Sequence, residues 1–201
     1  MYSQNYYKLY KEARDAAWQT LIDCNITSLP VDLHSIIKYL NYSVHTYSNS
    51  SLTQLLKKDV LNGDGFILQI DEIKHIYLND KINNYGRRRF TLAHEIGHGV
   101  LNHPLEKIHF RHPEEDNPAN QQEFQANIYA RDILAPACVL KELQLNTAED
   151  IMKTCLISRK SADIRKKRID TLTERNQFYT SNLEIQVIKN FKDYINKHKN
   201  K

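Results

Sequence analysis

The pentapeptide His94-Glu95-Ile96-Gly97-His98 constrains this chain more than any other segment. Two histidines four positions apart lie on one face of a helix, with Cβ atoms about 5–6 Å apart, so both imidazoles can reach one metal ion. The apolar pattern from Tyr85 to Asn102 is helical, and Pro104 closes it. The sequence therefore predicts a helix that carries a metal site.

Two further features of this helix bear on its chemistry. Glu95 lies one residue round from His94, where its carboxylate can take a proton from water as the water attacks a peptide carbonyl. Gly97 and Gly99 each cost about 1 kcal/mol relative to alanine inside a helix, which indicates that something approaches this face closely. The alternative interpretation is an ordinary helix with two surface histidines.

A catalytic zinc site needs a third protein ligand and an open position. The extended pattern H-E-x-x-H-x-x-G-x-x-H requires a glycine and a histidine where this chain has Leu101 and Pro104. His103 is one position out of that register, and we predict that it lies at the surface. The third ligand is therefore expected from another segment.

A second helical pattern covers residues 121–134 and stops before Pro136. One face of it carries small alanines, which let two helices pack closely, and Glu123 lies near the start of that face. Glu123 is the favoured third ligand, and Asn127, one turn on, is a candidate partner for a ligand imidazole. Four other carboxylates stay open as ligands: Glu114, Glu115, Asp116 and Asp132.

The rest of the chain mixes helical and strand periodicities, which predicts an α+β fold. A strand at 42–47 and a hairpin of 66–70 with 73–78 form a small sheet before the metal helix. Apolar residues at intervals of three and four predict the other helices, with Asp32 and Ser158 as N-caps. These helices cover about residues 6–21, 33–40, 151–156, 158–175 and 183–197.

The last predicted helix has an apolar stripe that needs a surface to cover it. Either the stripe docks on the chain's own core, or it recognises a protein partner by entering a groove. The stripe is short and its lysines are few, so membrane binding is the weaker interpretation. It consists of Val187, Ile188, Phe191, Tyr194 and Ile195.

Positive charge is concentrated at the C-terminal end, where residues 151–201 hold 13 Lys and Arg against 5 Asp and Glu. Such a segment is either a solvated helix surface or a contact for an acidic partner or nucleic acid. Direct nucleic-acid binding is the weaker interpretation, because the cations go round the helix and few base-reading side chains accompany them. The cations that would contact phosphates are Arg159, Lys160, Arg165, Lys166 and Arg168.

The sequence also bears on location. It has no run of about 18 apolar residues, and its N-terminus lacks the apolar core of a signal peptide. Its three cysteines form no C-x-x-C pair, which argues against a disulfide framework. We therefore expect a cytoplasmic protein without membrane contact.

Three segments together resemble the ImmA/IrrE family of metallopeptidases. They are Arg89-Phe-Thr-Leu-Ala-His-Glu-Ile-Gly-His98, Glu123-Phe-Gln-Ala-Asn127 and Ile133-Leu-Ala-Pro136, and the resemblance spans roughly residues 28–160. Departures are small: Ile133-Leu-Ala-Pro136 replaces the usual L-L-M-P, and Gln121-Gln122 stand where acidic residues are common. Neither departure falls on a ligand position.

The resemblance implies a gluzincin-like core with a small antiparallel sheet, followed by a region similar to a helix-turn-helix. From the resemblance together with the helical patterns, we predict a metallopeptidase core, residues 1–145, and a helical C-terminal region, residues 146–201, although the N-terminal helix and residues 176–201 lie outside the resemblance. The resemblance implies one Zn²⁺ per chain on His94, His98 and Glu123, with Glu95 as the catalytic base.

The function implied is zinc-dependent endoproteolysis of a protein partner, in particular a helix-turn-helix repressor of a mobile element or stress regulon. Two alternatives from other classes stay open. One is a DNA-binding regulator acting through the helix at 158–175. The other is a catalytically quiet partner of the toxin–antitoxin kind, in which the zinc is structural.

Overall fold

The computed structural model describes residues 4–55, 62–105 and 120–199. These residues form the predicted α+β fold, with three strands and ten α-helices in the described ranges. The elements are α1 Gln4–Asp23, α2 Leu33–Leu40, β1 Ser43–Thr46, α3 Ser51–Leu55, β2 Gly65–Ile70, β3 Ile73–Leu78, α4 Tyr85–Val100, α5 Gln121–Leu134, α6 Ala137–Glu142, α7 Ala148–Cys155, α8 Arg159–Glu174, α9 Asn182–Asn190 and α10 Lys192–His198.

The sheet has the strand order β1-β3-β2. The predicted hairpin is present, since β2 and β3 pair antiparallel with Phe66 opposite Tyr77. The prediction of an antiparallel sheet is wrong for β1, which pairs parallel with β3 and sets Val44 opposite Ile76. Alternating apolar residues identify a strand, but they specify neither its neighbour nor its direction, so the sequence alone left this pairing undetermined.

Helix α4 packs against β2, β3 and α5. Its first turn is fixed by Asn84, whose side chain accepts a 2.9 Å hydrogen bond from the Arg87 amide. The Arg87 guanidinium donates two hydrogen bonds of 2.6 Å to the carboxylate of Asp64, just before β2. This bidentate pair ties the start of α4 to the hairpin and so fixes the helix against the sheet.

Gly97 and Gly99 of α4 are explained by close approach, as predicted. A Cβ at Gly97 would lie 2.9 Å from the Tyr129 ring, and one at Gly99 would lie 2.6 Å from the Tyr42 hydroxyl. Tyr129 is fully buried, and its hydroxyl donates a 3.1 Å hydrogen bond to Thr20 of α1. The groups that approach this face are therefore the chain's own tyrosines, and Gly97 sets how closely α5 packs on α4.

One contiguous hydrophobic core joins the N-terminal, central and C-terminal helices. It includes Leu21 of α1, Ile96 of α4, Ile133 of α5 and Val187 of α9, each at most 1% exposed. The division at residues 145 and 146 stays a prediction, and buried side chains from both sides of it contribute to this core.

The C-terminal stripe is docked on the chain itself. Phe191 is fully buried and Ile195 is 4% exposed, so the apolar face is not available to a partner. The predicted single helix 183–197 is corrected to two, because the backbone of Phe191 has φ −91° and ψ 4°, which ends α9 at Asn190 before α10 starts at Lys192. The break lets α9 and α10 both turn apolar residues inward.

Within the described residues, no helix combines the length and apolar character needed to cross a membrane.

Because the stripe is docked, a substitution on its buried side should destabilise the fold more than a substitution on its exposed side. Phe191→Ala should lower the free energy of unfolding by about 3–5 kcal/mol, because it empties a fully buried ring position. The matched control is Ile185→Ala on α9, since Ile185 is 38% exposed, and it should change stability by about 0.5 kcal/mol or less. Denaturant titration measures both, and equal effects would contradict intramolecular docking. Deleting residues 182–201 should also lower the melting temperature.

The α4 glycines predict a contrast between two identical substitutions. Gly97→Ala should cost about 1–2 kcal/mol net, since overpacking against a buried ring outweighs the gain in helix propensity. Gly99→Ala should cost less, because it meets the far end of the half-buried Tyr42 side chain, which can shift. Denaturant titration of the two variants tests this order, and a larger loss from Gly99→Ala would refute it.

Candidate metal centre

Two helices bring three potential ligands together. His94 and His98 lie one turn apart on α4 and are 1% and 2% exposed. Glu123 lies in the first turn of α5, where the Asn120 side chain accepts a 3.3 Å hydrogen bond from its amide and begins the helix. Each ring therefore faces the same carboxylate across the α4–α5 contact.

The ligand atoms converge on one point. His94 Nε2 lies 3.1 Å from Glu123 Oε2, His98 Nε2 lies 3.2 Å from Glu123 Oε1, and the two Nε2 atoms are 3.1 Å apart. All three potential ligand atoms lie within 4.8 Å of one another. This His-His-Glu cluster fits a metal site. Among the described residues it is the group of potential ligands that lies close enough together to hold an ion.

Electrostatics in the cluster favour a cation. Burial disfavours ionisation of Glu123, but hydrogen bonds and charge from His94 and His98 outweigh it and hold the pKa of this carboxyl well below its usual range. Burial also disfavours protonation of His98, but its hydrogen bond to Glu123 and the negative charges of Glu95 and Glu123 outweigh that and raise the pKa of the ring. The site thus holds a carboxylate as an anion in a largely buried position.

Each ring uses its other nitrogen for a second contact. Asn127, one turn after Glu123 on α5, has its Oδ1 3.1 Å from His94 Nδ1. An amide oxygen can only accept, so this contact takes a proton from His94 Nδ1, and a neutral ring would then present the lone pair of Nε2 to the cluster. The structure brings Asn127 to the imidazole that the sequence suggested it could orient.

His103 makes the matching contact to the other ring, and its predicted surface position is wrong. The side chain is only 8% exposed, and its Nδ1 lies 3.0 Å from His98 Nδ1. Sequence reasoning tested His103 only as a ligand in the extended zinc pattern and so assigned it no other role. The signal that could have found it is Asn102 immediately before it, a residue suited to the reversal that ends a helix.

Glu95 is 2% exposed and follows His94 on α4. Its negative charge raises the pKa of His98 in the cluster.

Burial is the main cause that raises the pKa of Tyr47, with smaller contributions from Glu95 and Asp64, so the phenol keeps its proton. The hydroxyl of Tyr47 is buried and has no hydrogen-bond partner among the described residues. Sequence analysis placed Tyr47 in a strand, but it begins a 3₁₀ turn after β1.

The rival carboxylates do not join this cluster in the described part of the chain. Asp132, 2% exposed, lies 3.3 Å from the guanidinium of Arg165 on α8 and forms a buried ion pair with it. Asp116, Glu114 and Glu115 lie outside the described residues.

Comparison with known proteins gives one match to a family. Residues 52–167 match the Peptidase M78 family, described as the IrrE N-terminal-like domain. No curated protein matches the sequence. The matched range begins later and ends slightly later than the resemblance at residues 28–160, and it contains the whole His-His-Glu cluster. Because the match covers more than half of the 201 residues, this chain belongs to the ImmA/IrrE-type metallopeptidases of the Peptidase M78 family.

Proposed function

We propose that the protein is a zinc-dependent endopeptidase whose ion is held by His94, His98 and Glu123. The observation that carries this proposal is the convergence of two Nε2 atoms and a carboxylate within 4.8 Å. Two histidines and a glutamate are a recurrent donor set of catalytic zinc, which leaves a further position open. When bound, zinc supplies Lewis acidity that polarises a carbonyl oxygen and makes water easier to deprotonate.

Glu95 is proposed as the general base. Its carboxylate takes a proton from the attacking water as the new C–O bond forms at the substrate carbonyl, and holds it on a carboxylate oxygen. It then returns that proton to the amine nitrogen as the C–N bond breaks. The position of Glu95 next to His94, with its charge acting on His98, supports this role.

The proposed substrate is a protein, specifically a helix-turn-helix transcriptional repressor of a mobile element or stress regulon. The family resemblance supports this substrate class, and membership of a peptidase family supports a protein substrate. Since such repressors act on DNA inside the cell, the proposed location is the cytoplasm.

Observations on α8 argue against the alternative of a DNA-binding regulator. Arg165 is 4% exposed and pairs with Asp132, and the Arg168 guanidinium lies 4.8 Å from the centre of the Tyr10 ring. Arg159 and Lys166 pair with carboxylates one turn along their own helix. Two of the five cations that would contact phosphates, Arg165 and Arg168, are thus directed at other parts of the protein, which reduces the charge available for phosphate binding. A salt-dependent gel shift with the purified chain would favour this alternative over the peptidase.

Metal analysis tests the proposed ligands. The protein purified without chelator should hold close to one zinc per chain, and His94→Ala or His98→Ala should lose it. Glu123→Gln should weaken binding by more than the roughly 10–100-fold typical of residues that contact ligands. Elemental analysis and chelator competition give these values. If Glu123→Ala were fully loaded while Asp116→Ala were empty, the third ligand would be misassigned.

Glu95→Gln separates metal binding from chemistry. The change preserves shape and all three proposed ligands, so the variant should retain zinc. It removes the base, so cleavage should fall by about 10²–10⁴-fold or more. The assay is loss of a co-expressed helix-turn-helix repressor from the same genome, compared between wild type and Glu95→Gln at equal zinc content. Equal cleavage by both proteins would exclude Glu95 as the base, and retained zinc without cleavage in wild type would favour the quiet binding partner.

A further inference from the structure

Hydrogen bonds link four side chains from the His-His-Glu cluster to the N-terminal helix α1, and we call this series the relay. His98 Nδ1 lies 3.0 Å from His103 Nδ1, and His103 Nε2 lies 3.3 Å from Gln125 Oε1 on α5. The amide nitrogen of Gln125 donates a 3.3 Å hydrogen bond to Glu12 Oε2 on α1. The relay starts at the buried His98 ring and ends at the Glu12 carboxylate, whose side chain is 48% exposed.

The end of α4 places His103 over His98. Asn102 adopts a left-handed conformation with φ 53°. The Asn102 amide bonds to the Gly99 carbonyl, and the His103 amide bonds to the His98 carbonyl at 3.1 Å. This pair of bonds is a Schellman motif, which reverses the chain after the helix. Lys74 of β3 secures the motif, because its ammonium donates to the Gly99 carbonyl at 2.6 Å and to Asn102 Oδ1 at 3.3 Å.

The donor and acceptor groups of the relay have one consistent assignment when His98 Nε2 binds a metal. A neutral imidazole that uses Nε2 as a ligand carries its proton on Nδ1, so His98 donates to His103 Nδ1. His103 then carries its own proton on Nε2 and donates it to the Gln125 oxygen. The Gln125 amide group donates onward to Glu12. Every member is thus a donor toward the next, and no contact has two donors or two acceptors facing each other.

We propose that His103 is a positioning residue for the metal, which fixes the tautomer and ring orientation of His98 and is itself oriented by Gln125. This inference rests on the proposed metal site. The two ligand rings are then oriented in different ways. Asn127 orients His94 from α5, whereas the Schellman motif at the end of α4 orients His98 through His103. Partners of this kind raise ligand basicity and typically contribute about 10–100-fold in metal affinity.

The relay also accounts for the burial of a polar ring at the helix end. A buried Nδ1–H on His98 without an acceptor would incur a desolvation cost of about 1–3 kcal/mol. His103 borders a cavity of about 310 Å³ that Gln69, Lys74, Asn102, Pro104 and Leu105 also line. A different side chain at position 103 therefore has room to adjust, and variants there should fold.

The test compares two variants by zinc affinity alone, measured on the full chain by chelator competition. His103→Leu keeps the size but removes the acceptor, and it should weaken zinc binding by about 10–100-fold. His103→Asn puts an amide oxygen near the position of Nδ1 and should recover most of the affinity. Gln125→Met should have a smaller effect than His103→Leu, and Glu12→Gln a smaller effect still, because each is one step farther from the ion.

Phe191→Ala is the control for lost stability. It lowers the free energy of unfolding but leaves every member of the relay and the end of α4 unchanged, so zinc affinity should match wild type. If Phe191→Ala weakened zinc binding as much as His103→Leu, the effect would come from lost stability, and the positioning role would be overturned.

Nuclear magnetic resonance of the zinc-loaded chain gives a direct readout of the relay. Ring nitrogen spectra should show His98 protonated at Nδ1, with a scalar coupling through the hydrogen bond to His103 Nδ1. A His103 ring protonated on both nitrogens would overturn the proposal. The proposal would also be overturned if His103→Leu bound zinc as tightly as wild type, and in that case the proposed function would stand. Wild type that binds no zinc would overturn the metal site and the relay together.

Discussion

The contact between α4 and α5 is the constraint on which the site depends. Two of the three potential ligand atoms belong to α4 and the third belongs to α5, so the cluster exists only while these helices stay in close contact. Gly97 makes that closeness possible, because any larger residue would meet the fully buried Tyr129 ring. Tyr129 in turn is held by Thr20 of α1. The peptide hydrogen bonds of each helix fix the spacing within it, and packing fixes the spacing between them.

Charge in the site follows from this packing. Glu123 is placed in the first turn of α5, where the helix dipole favours a negative charge, and its carboxyl keeps a lowered pKa despite burial. Glu95 adds a second carboxylate that is 2% exposed and whose charge acts on His98. Glu95 is buried and Glu123 is half-buried beside two imidazoles, and this concentration of negative charge favours a cation, because moving an anion out of water is costly. A divalent cation between the rings and Glu123 would supply the compensating charge with the geometry already formed.

The sequence predicted the parts of this site that depend on local spacing. The i, i+4 histidines and the limits of α5 follow from helical periodicity and the position of Pro136, and the structure has α5 at residues 121–134 as expected. Two features were missed. His103 was predicted at the surface because it was considered only as a ligand in the extended zinc pattern, whereas the left-handed Asn102 before it turns the chain so that its ring lies against His98. The parallel pairing of β1 was missed because the strand pattern is the same for either direction.

The same limit explains why the basic C-terminal segment suggested nucleic acid. A count of charges treats every cation as exposed, whereas Arg165 is almost completely buried against Asp132 of α5. Removing one member of such a pair leaves an uncompensated buried charge, which is strongly destabilising. Helix α8 is therefore held against the helix that carries Glu123. The family match ends at residue 167, just after Arg165. The matched unit thus contains both members of the ion pair that links α8 to the helix that carries Glu123.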